Sequence, residues 1–418
     1  MAALVFEDSG RTLRLMSEGS PLDRYVWIWL PHVPAPTLCG HLRWDGAAAS
    51  FAYVKSYRGR PGNISVQPDW PVEGTFGERL FPGEDDALPP FVADVAPGRW
   101  AEYVIDKIAG RRMTAMERLI RGFGDRTGAI EFSVKADETP PSEPSFPELE
   151  EVAAAIELLE QGRNVDPKQA LLFRHGASLG GRRPKATVMH QSQTWIAKFV
   201  SVNDRDRLQP RREAFGLALA RRCGIDVPTF KIVEANGQPV LLVARFDRGV
   251  DGTRRHVLSA RTLLQLSERQ MLTAASYPAI AQMLRKHSQR ADEAARWFDR
   301  MVFNIVLGNT DDHALNHLFG WNGSTLTLMP AFDLEQQLAI EPRTQEMIVG
   351  QQGRVSSLEN ALSSCRDFGL NPALARERIA LILRTCANNS SKILTQVGIS
   401  ERSAREQIHR TLNLAAPE

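Results

Sequence analysis

Apolar and β-branched residues gather in short runs over residues 1–135, and this predicts a β-rich unit with some helix. Residues 25–30 (YVWIWL) read as a strand. Residues 40–44 and 49–53 follow as two more, with Asp45-Gly46 between them as a hairpin signal. Proline and glycine punctuate residues 59–98, so long elements are not expected there. Residues 100–109 and 114–120 read as short helices and residues 129–132 as a closing strand, with Trp70 and Trp100 as core aromatics.

The pattern then changes. Residues 135–148 (KADETPPSEPSFPE) hold four prolines and several acids, the composition of a linker, and a helix is expected at 149–162. Strand-like runs dominate 185–246: residues 194–200, 227–234 and 239–246, the last two joined at Asn236-Gly237. A helix is expected over 213–223, ended by Gly224. Beyond 258 the apolar spacing becomes helical, at 260–267, 278–287 and 291–307. In the last of these Trp297, Phe298, Met301, Val302, Ile305 and Val306 fall on a core face. A hairpin follows, strands 317–321 and 325–329 about Asn322-Gly323, which can supply the two positive-φ residues of a type I′ turn. Helices near 357–367, 373–388 and 401–413 complete the chain.

Composition narrows the classes. Hydrophobic residues at 43% and charged residues at 24% describe an ordinary globular protein. A net charge of +2 makes no global case for nucleic-acid binding. Cys39, Cys223, Cys365 and Cys386 are far apart and suggest neither a zinc site nor a disulfide framework. The first residues lack a signal-peptide core and no run approaches a membrane span, so a cytoplasmic protein without membrane contact is expected.

The chemistry concentrates in residues 308–335. Asp311 and Asn316 have the spacing D-x-x-x-x-N, and the hairpin returns the chain so that Asp333 lies near them. Phosphoryl transfer needs a carboxylate near the acceptor hydroxyl, with an amide oxygen and a second carboxylate to hold Mg²⁺ on the nucleotide phosphates. Asp311 is accordingly read as the base, and Asn316 and Asp333 as metal ligands. The same residue types are also common turn formers, so the triplet alone does not decide. Upstream, Gly176, Gly180 and Gly181 with Arg182, Arg183 and Lys185 form a glycine-rich basic segment that lacks the Walker A pattern. Lys198 lies in the strand that follows, and Glu213 in the next helix is a candidate partner for it.

The order of these parts resembles the HipA family of bacterial serine/threonine kinases, the toxin members of type II toxin–antitoxin modules. The likeness rests on residues 178–185 (SLGGRRPK), 196–198 (IAK), 245–248 (RFDR), 309–316 (NTDDHALN) and 330–333 (PAFD), and on 124–130 (GDRTGAI). It implies a mixed α/β (α+β) fold: a β-rich N-terminal domain at 1–135, a Pro-rich linker at 136–148 and a bilobal kinase-like domain at 149–418. That domain would have a β-rich N-lobe over about 149–247 and an all-helical C-lobe over about 248–418. The implied activity is phosphorylation of a protein serine or threonine with ATP and Mg²⁺. Asp311 would be the catalytic base and Asn316 and Asp333 the metal ligands. Gly180, Gly181, Arg182, Arg183, Pro184, Lys185, Lys198, Ala244, Arg245, Phe246, His313, Asn316, Phe332 and Asp333 would line the ATP site, with Glu213 as the ion-pair partner of Lys198. Ser178 falls at the family's self-silencing autophosphorylation site. The implied partners are a HipB-like helix-turn-helix antitoxin, operator DNA mainly through it, and a protein substrate such as an aminoacyl-tRNA synthetase, whose modification inhibits growth.

This sequence departs from the family pattern at Asp312, a second acid beside Asp311, at Ala244 and in the basic run Arg182-Arg183. Two other readings stay in view. One is a catalytically degenerate kinase fold that serves as an antitoxin or DNA-complex partner. The other is a metal-dependent hydrolase using Asp311, Asp312, His313 and His317, which the hairpin reading disfavours because it puts His317 in or beside a strand.

Overall fold

The computed structural model describes residues 3–5, 14–16, 22–45, 48–73, 79–82, 88–121, 125–140, 146–163, 172, 180–181, 183–191, 193–201, 204, 207–249, 251–337 and 343–412. The chain forms two compact units. The first takes Met1–Ser145, Ala170–Arg182 and Asp247–His256, and the second Phe146–Gln169, Arg183–Phe246 and Val257–Glu418.

In the first unit, strands β1 (Ala3–Val5) and β2 (Arg14–Met16) pair with each other. A five-stranded antiparallel sheet follows. It uses β3 (Leu22–Trp29), β4 (Pro36–Trp44), β5 (Ala48–Tyr53), β6 (Arg79–Pro82) and β7 (Ile130–Ser133) in the order β6-β5-β4-β3-β7. The expected strands at 40–44 and 49–53 lie within it, and those at 25–30 and 129–132 do so except for Leu30 and Ala129. Phe51, Trp70 and Phe91 meet edge to face with ring centroids 5.0–5.7 Å apart, so Trp70 is core as its surroundings predicted. Helix α1 (Arg99–Ala109) carries the buried Trp100.

Two motifs of the sequence explain each other in this unit. The Asp247 carboxylate accepts the Gly128 N–H (2.7 Å). Arg248 donates to the Gly128 carbonyl (2.7 Å), to Asp247 (2.9 Å), to Asp125 (3.3 Å) and to the Arg126 carbonyl. The 245–248 motif therefore ends in a buried charge network with 125–128, in which the Arg248 guanidinium offsets the desolvated carboxylates of Asp247 and Asp125.

The second unit begins with α2 (Leu149–Glu160), and its first sheet has the order β10-β11-β9-β8, from β8 (Lys185–His190), β9 (Gln193–Lys198), β10 (Phe230–Ala235) and β11 (Gln238–Ala244). Asn236 and Gly237 both have positive φ (50° and 69°), the geometry a two-residue hairpin needs. Helix α3 (Gln209–Arg222) begins four residues before the expected start, because Pro210 seeds its first turn. A second sheet, β12-β13-β14, comes from β12 (Val257–Ser259), β13 (Leu318–Trp321) and β14 (Leu326–Leu328). The region from 248 onward is therefore not all-helical: main-chain groups of 257–259 need partners, and the hairpin supplies them.

The hairpin forms where expected, but not through a type I′ turn. Trp321 pairs with Leu326, leaving a four-residue loop. Only Gly323 has positive φ (95°), while the Asn322 side chain accepts the Ser324 and Thr325 amides (3.1 and 2.8 Å).

Helices α4 (Tyr277–His287), α5 (Glu293–Leu307), α6 (Pro372–Gln396) and α7 (Arg402–Thr411) make up most of the remainder. The helix expected at 260–267 ends already at Leu263, and a separate short helix, Glu268–Ala274, follows it. Helix α6 continues well beyond the expected end at 388. Helix α5 is the core element: Trp297, Phe298, Met301, Val302, Ile305 and Val306 are all fully buried. No helix among the described residues is long and apolar enough to cross a membrane.

Candidate active site

Lys185 and Lys198 are directly opposed in the β8–β9 register, so both side chains leave the same face of the sheet. Two buried ammonium groups at this spacing repel, and the structure answers at Lys198. Its Nζ donates to Glu213 Oε1 (2.5 Å), from α3, and to Asp333 Oδ1 (2.8 Å). Glu213 Oε1 also accepts the Asp333 N–H (3.2 Å), which closes the triangle. Burial opposes the Lys198 charge, but Asp333 and Glu213 outweigh it and hold the ammonium above its ordinary range. Burial likewise opposes the Asp333 carboxylate, and Lys198 followed by Lys185 holds it well below the usual carboxylate range. Lys185 has no ion-pair or hydrogen-bond partner among the described residues. Burial, then Lys198, pushes it down to about 8.

Asp333 sits at φ +56°, a left-handed conformation that short polar side chains tolerate and that costs free energy in most others. Strain of this kind persists where neighbours over-determine the backbone, and here the Glu213 contact to the Asp333 N–H does so.

Helix α5 delivers the second half of the site. It ends at Gly308, φ +78°, a left-handed cap that turns the chain out of the helix. Residues 309–316 then form a tight turn closed by the short 3₁₀ helix Ala314–Asn316. Asn316 Nδ2 donates to the Asp311 carbonyl (3.0 Å), fixing the amide and leaving its oxygen as an acceptor. Asp311 itself is exposed. Asn309 donates to the Asn304 side chain (3.1 Å) and reaches the Asp333 carbonyl at 3.5 Å. His313 lies close enough for its charge to lower Asp333 further. Lys198, Glu213, Asp311, His313, Asn316 and Asp333 thus belong to one connected region of the second unit.

An apolar wall adjoins it. The Phe246 and Phe332 rings lie 5.9 Å apart and pack on Val257, Leu318 and Met329. Ala244 ends β11 opposite Trp195, its N–H bound to Thr229 O (2.8 Å), and Arg245 follows. The Pro184 carbonyl accepts the Phe199 N–H (3.0 Å) at the root of β8.

Gly180 and Gly181 belong to the first unit. Gly180 packs on Gly98, and the Gly181 carbonyl accepts the Trp100 N–H (3.1 Å) at the start of α1. Ser178 and Arg182 lie outside the described residues. Arg183 is bound by Asp204 (3.0 Å) and Glu335 (2.5 Å), and Glu335 also takes Gln209 (2.8 Å). Sequence reasoning passed over Glu335, whose only signal is its place two residues after Asp333.

The buried side of the turn was also missed. Asp312 is fully buried: its carboxylate accepts the Tyr277 hydroxyl (2.5 Å) and the Glu346 N–H (2.9 Å). Burial pushes it up to about 6, with Tyr277 the first of the contacts that favour the carboxylate. His317 packs between Trp297 and Tyr277, with centroids 4.8 and 5.5 Å away, and its Nε2 lies 3.2 Å from the Asp312 carbonyl. It is a core histidine: burial, then Arg300, holds it well below its ordinary pKa. Among the described residues no group of three or more His, Cys, Asp or Glu could hold a metal, which removes the ligand set of the hydrolase reading.

The family described as the HipA-like C-terminal domain matches residues 177–392. A putative kinase of Sinorhizobium fredii is 27% identical over 194 residues, 44% of this chain and 46% of the relative, so that match spans less than half of the relative's length. The serine/threonine-protein kinase toxin HipA of Shewanella oneidensis is 24% identical over 349 residues, 72% of this chain and 76% of the toxin. A solved Shewanella oneidensis complex of HipA, HipB and operator DNA contains a chain similar at TM-score 0.68 and 18% identity. The likeness covers 90% of this chain and 93% of that one, and it shows a shared fold.

Proposed function

Because the chain belongs to the family with the HipA-like C-terminal domain, we propose that it is a protein serine/threonine kinase that uses ATP and Mg²⁺. The observation that carries this reading is Lys198 held between Glu213 and Asp333, in the unit that also presents Asp311 on its turn. In this reading the second unit is a two-lobed kinase. The β8–β11 sheet with α3 forms the nucleotide lobe, and residues from 257 onward form the other.

Asp311 accepts the proton of the attacking serine or threonine hydroxyl. Asn316 contributes an amide oxygen, and Asp333 a carboxylate whose side chain is 31% exposed. Two hard oxygen donors fit Mg²⁺, which keeps water and phosphate oxygens as its remaining ligands. When bound, the metal supplies positive charge to those phosphate oxygens. Lys198 and Lys185 offset phosphate charge from the sheet side, with His313 near Asp333. Ala244, Arg245, Phe246 and Phe332 offer an apolar edge and main-chain groups to the base.

Family membership extends the proposal to partners. The Shewanella toxin is solved with HipB and operator DNA, and we assign this chain a HipB-like helix-turn-helix antitoxin, with operator DNA reached mainly through it. Its substrate is a translation component such as an aminoacyl-tRNA synthetase, and Ser178 is its self-silencing phosphorylation site, where a phosphate adds about 1.5–2 negative charges beside a basic segment.

Calorimetric titration with ATP, with and without Mg²⁺, tests the site. Binding should tighten at least about tenfold with Mg²⁺ in the wild type, and Asp333→Asn, which tolerates the same backbone conformation, should lose that gain. Absence of ATP binding in both conditions would refute the proposal.

A further inference from the structure

The carboxylate next to Asp311 has no role in the chemistry above, yet it is the most enclosed acid of the turn. We propose that Tyr277 is a positioning residue for phosphotransfer: its hydroxyl holds the Asp312 carboxylate, and through it the backbone that presents Asp311. The inference rests on the kinase reading, but its structural half can be measured without it.

Tyr277 opens helix α4 and is fully buried. Its hydroxyl donates to Asp312 Oδ2 at 2.5 Å and accepts from Asn304 Nδ2 at 2.9 Å, with His317 Nε2 3.3 Å away, so its one proton is committed to Asp312. Burial, then the Asp312 charge, holds the phenol well above its ordinary pKa, so it stays the donor. Trp297 packs on it with the rings tilted by 36° and centroids 4.7 Å apart, and donates Nε1–H to the Tyr277 carbonyl (3.0 Å), which leaves the ring little freedom.

The opposite oxygen of Asp312 takes the Glu346 N–H, and Gln345 Nε2 donates to the Asn309 carbonyl (2.9 Å). Ile348 returns to the same helix start, donating to Ala275 O (2.7 Å) and accepting the Tyr277 N–H (3.0 Å). The turn is therefore held from its buried side by α4 and by residues 345–348, while Asn316 holds the Asp311 carbonyl from the other. A buried carboxylate stripped of its donor rearranges to find another, and its immediate neighbour in the chain is Asp311.

The test compares wild type, Tyr277→Phe and Asp312→Asn. Phenylalanine keeps the ring packing, and asparagine keeps the size of the acid should the first variant fold poorly. Two readouts are taken: steady-state phosphotransfer and amide hydrogen exchange of peptides covering 309–317 and 344–349. The expected result for each variant is kcat lowered about tenfold with KM for ATP within about twofold, and faster exchange in those two peptides only. The double variant should lose less than the two single losses combined, because both substitutions weaken the same Tyr277–Asp312 link. Unchanged kcat and exchange would overturn the inference, as would a fall in kcat with faster exchange throughout the protein. A wild type that transfers no phosphate would defeat the kinase reading and with it the catalytic half of the inference, while the exchange data would still decide whether Tyr277 holds the turn.

Discussion

Lys185 and Lys198 face each other across neighbouring strands, and among the described residues only Lys198 has carboxylates in contact to offset its charge. The fold thus keeps one ammonium fully ionised and leaves the other poised, pushed down to about 8 by burial and then by Lys198. In the free protein Lys185 is charged below pH 8 and increasingly neutral above it. A polyphosphate beside it favours the ammonium, so ATP binding raises its pKa and draws in a proton wherever the free amine was neutral. Titrations near pH 9, in buffers of different ionisation enthalpy, should show uptake approaching about one proton, shrinking toward zero near pH 7. Lys185→Met should abolish the uptake. Buffer-independent heats at both pH values in the wild type would remove Lys185 from the nucleotide site. Of the residues in this region, Lys198, Glu213, Asp311, Asn316 and Asp333 stood out in the sequence as candidates by their spacing, and the structure brings Lys198, Glu213 and Asp333 into contact. Tyr277 did not stand out, since a tyrosine that opens an amphipathic helix reads as ordinary core and its acidic partner is 35 residues away.

Helix α3 places Glu213, and it can do so only because the chain carrying Asp333 approaches it closely. Gly216 makes that approach possible: a Cβ there would overlap the Leu334 carbonyl, one residue after Asp333. Gly216→Ala must move either the helix or the Leu334 backbone. The expected cost is about 1–3 kcal/mol of stability, the usual range for overpacking, with weaker Mg·ATP binding because Asp333 shifts with Leu334. Thermal unfolding and ATP titration of the variant check this, and a fully stable variant that binds ATP normally would show the contact to be looser than described. At this scale the sequence was most readable where a local device set the element. Asn236-Gly237 marked a hairpin and found it, because both residues adopt positive φ. Asn322-Gly323 marked the other hairpin but not its turn, since hydrogen bonds from the Ser324 and Thr325 amides to the Asn322 side chain stabilised a longer loop. Helix α3 was read as starting at Glu213 when Pro210 was the better start signal.

At the scale of the molecule, the chain leaves the second unit and re-enters the first at Asp247–His256. No local pattern foretells this, because the partners of Arg248 lie about 120 residues upstream, at Asp125, Arg126 and Gly128. Both segments were recognisable as motifs, yet their purpose, a shared buried ion network, needed coordinates. The central claim is that the second unit assembles a working phosphotransfer site from Lys198, Asp311, Asn316 and Asp333. The most direct measurement is intact-mass analysis with peptide mapping after incubation with Mg·ATP, for wild type beside Asp311→Ala. The account predicts an added phosphate on the wild type, mapped to Ser178, and none on Asp311→Ala, although both bind ATP. A phosphate gained equally by both proteins, or by neither with ATP bound and candidate protein substrates supplied, would contradict it.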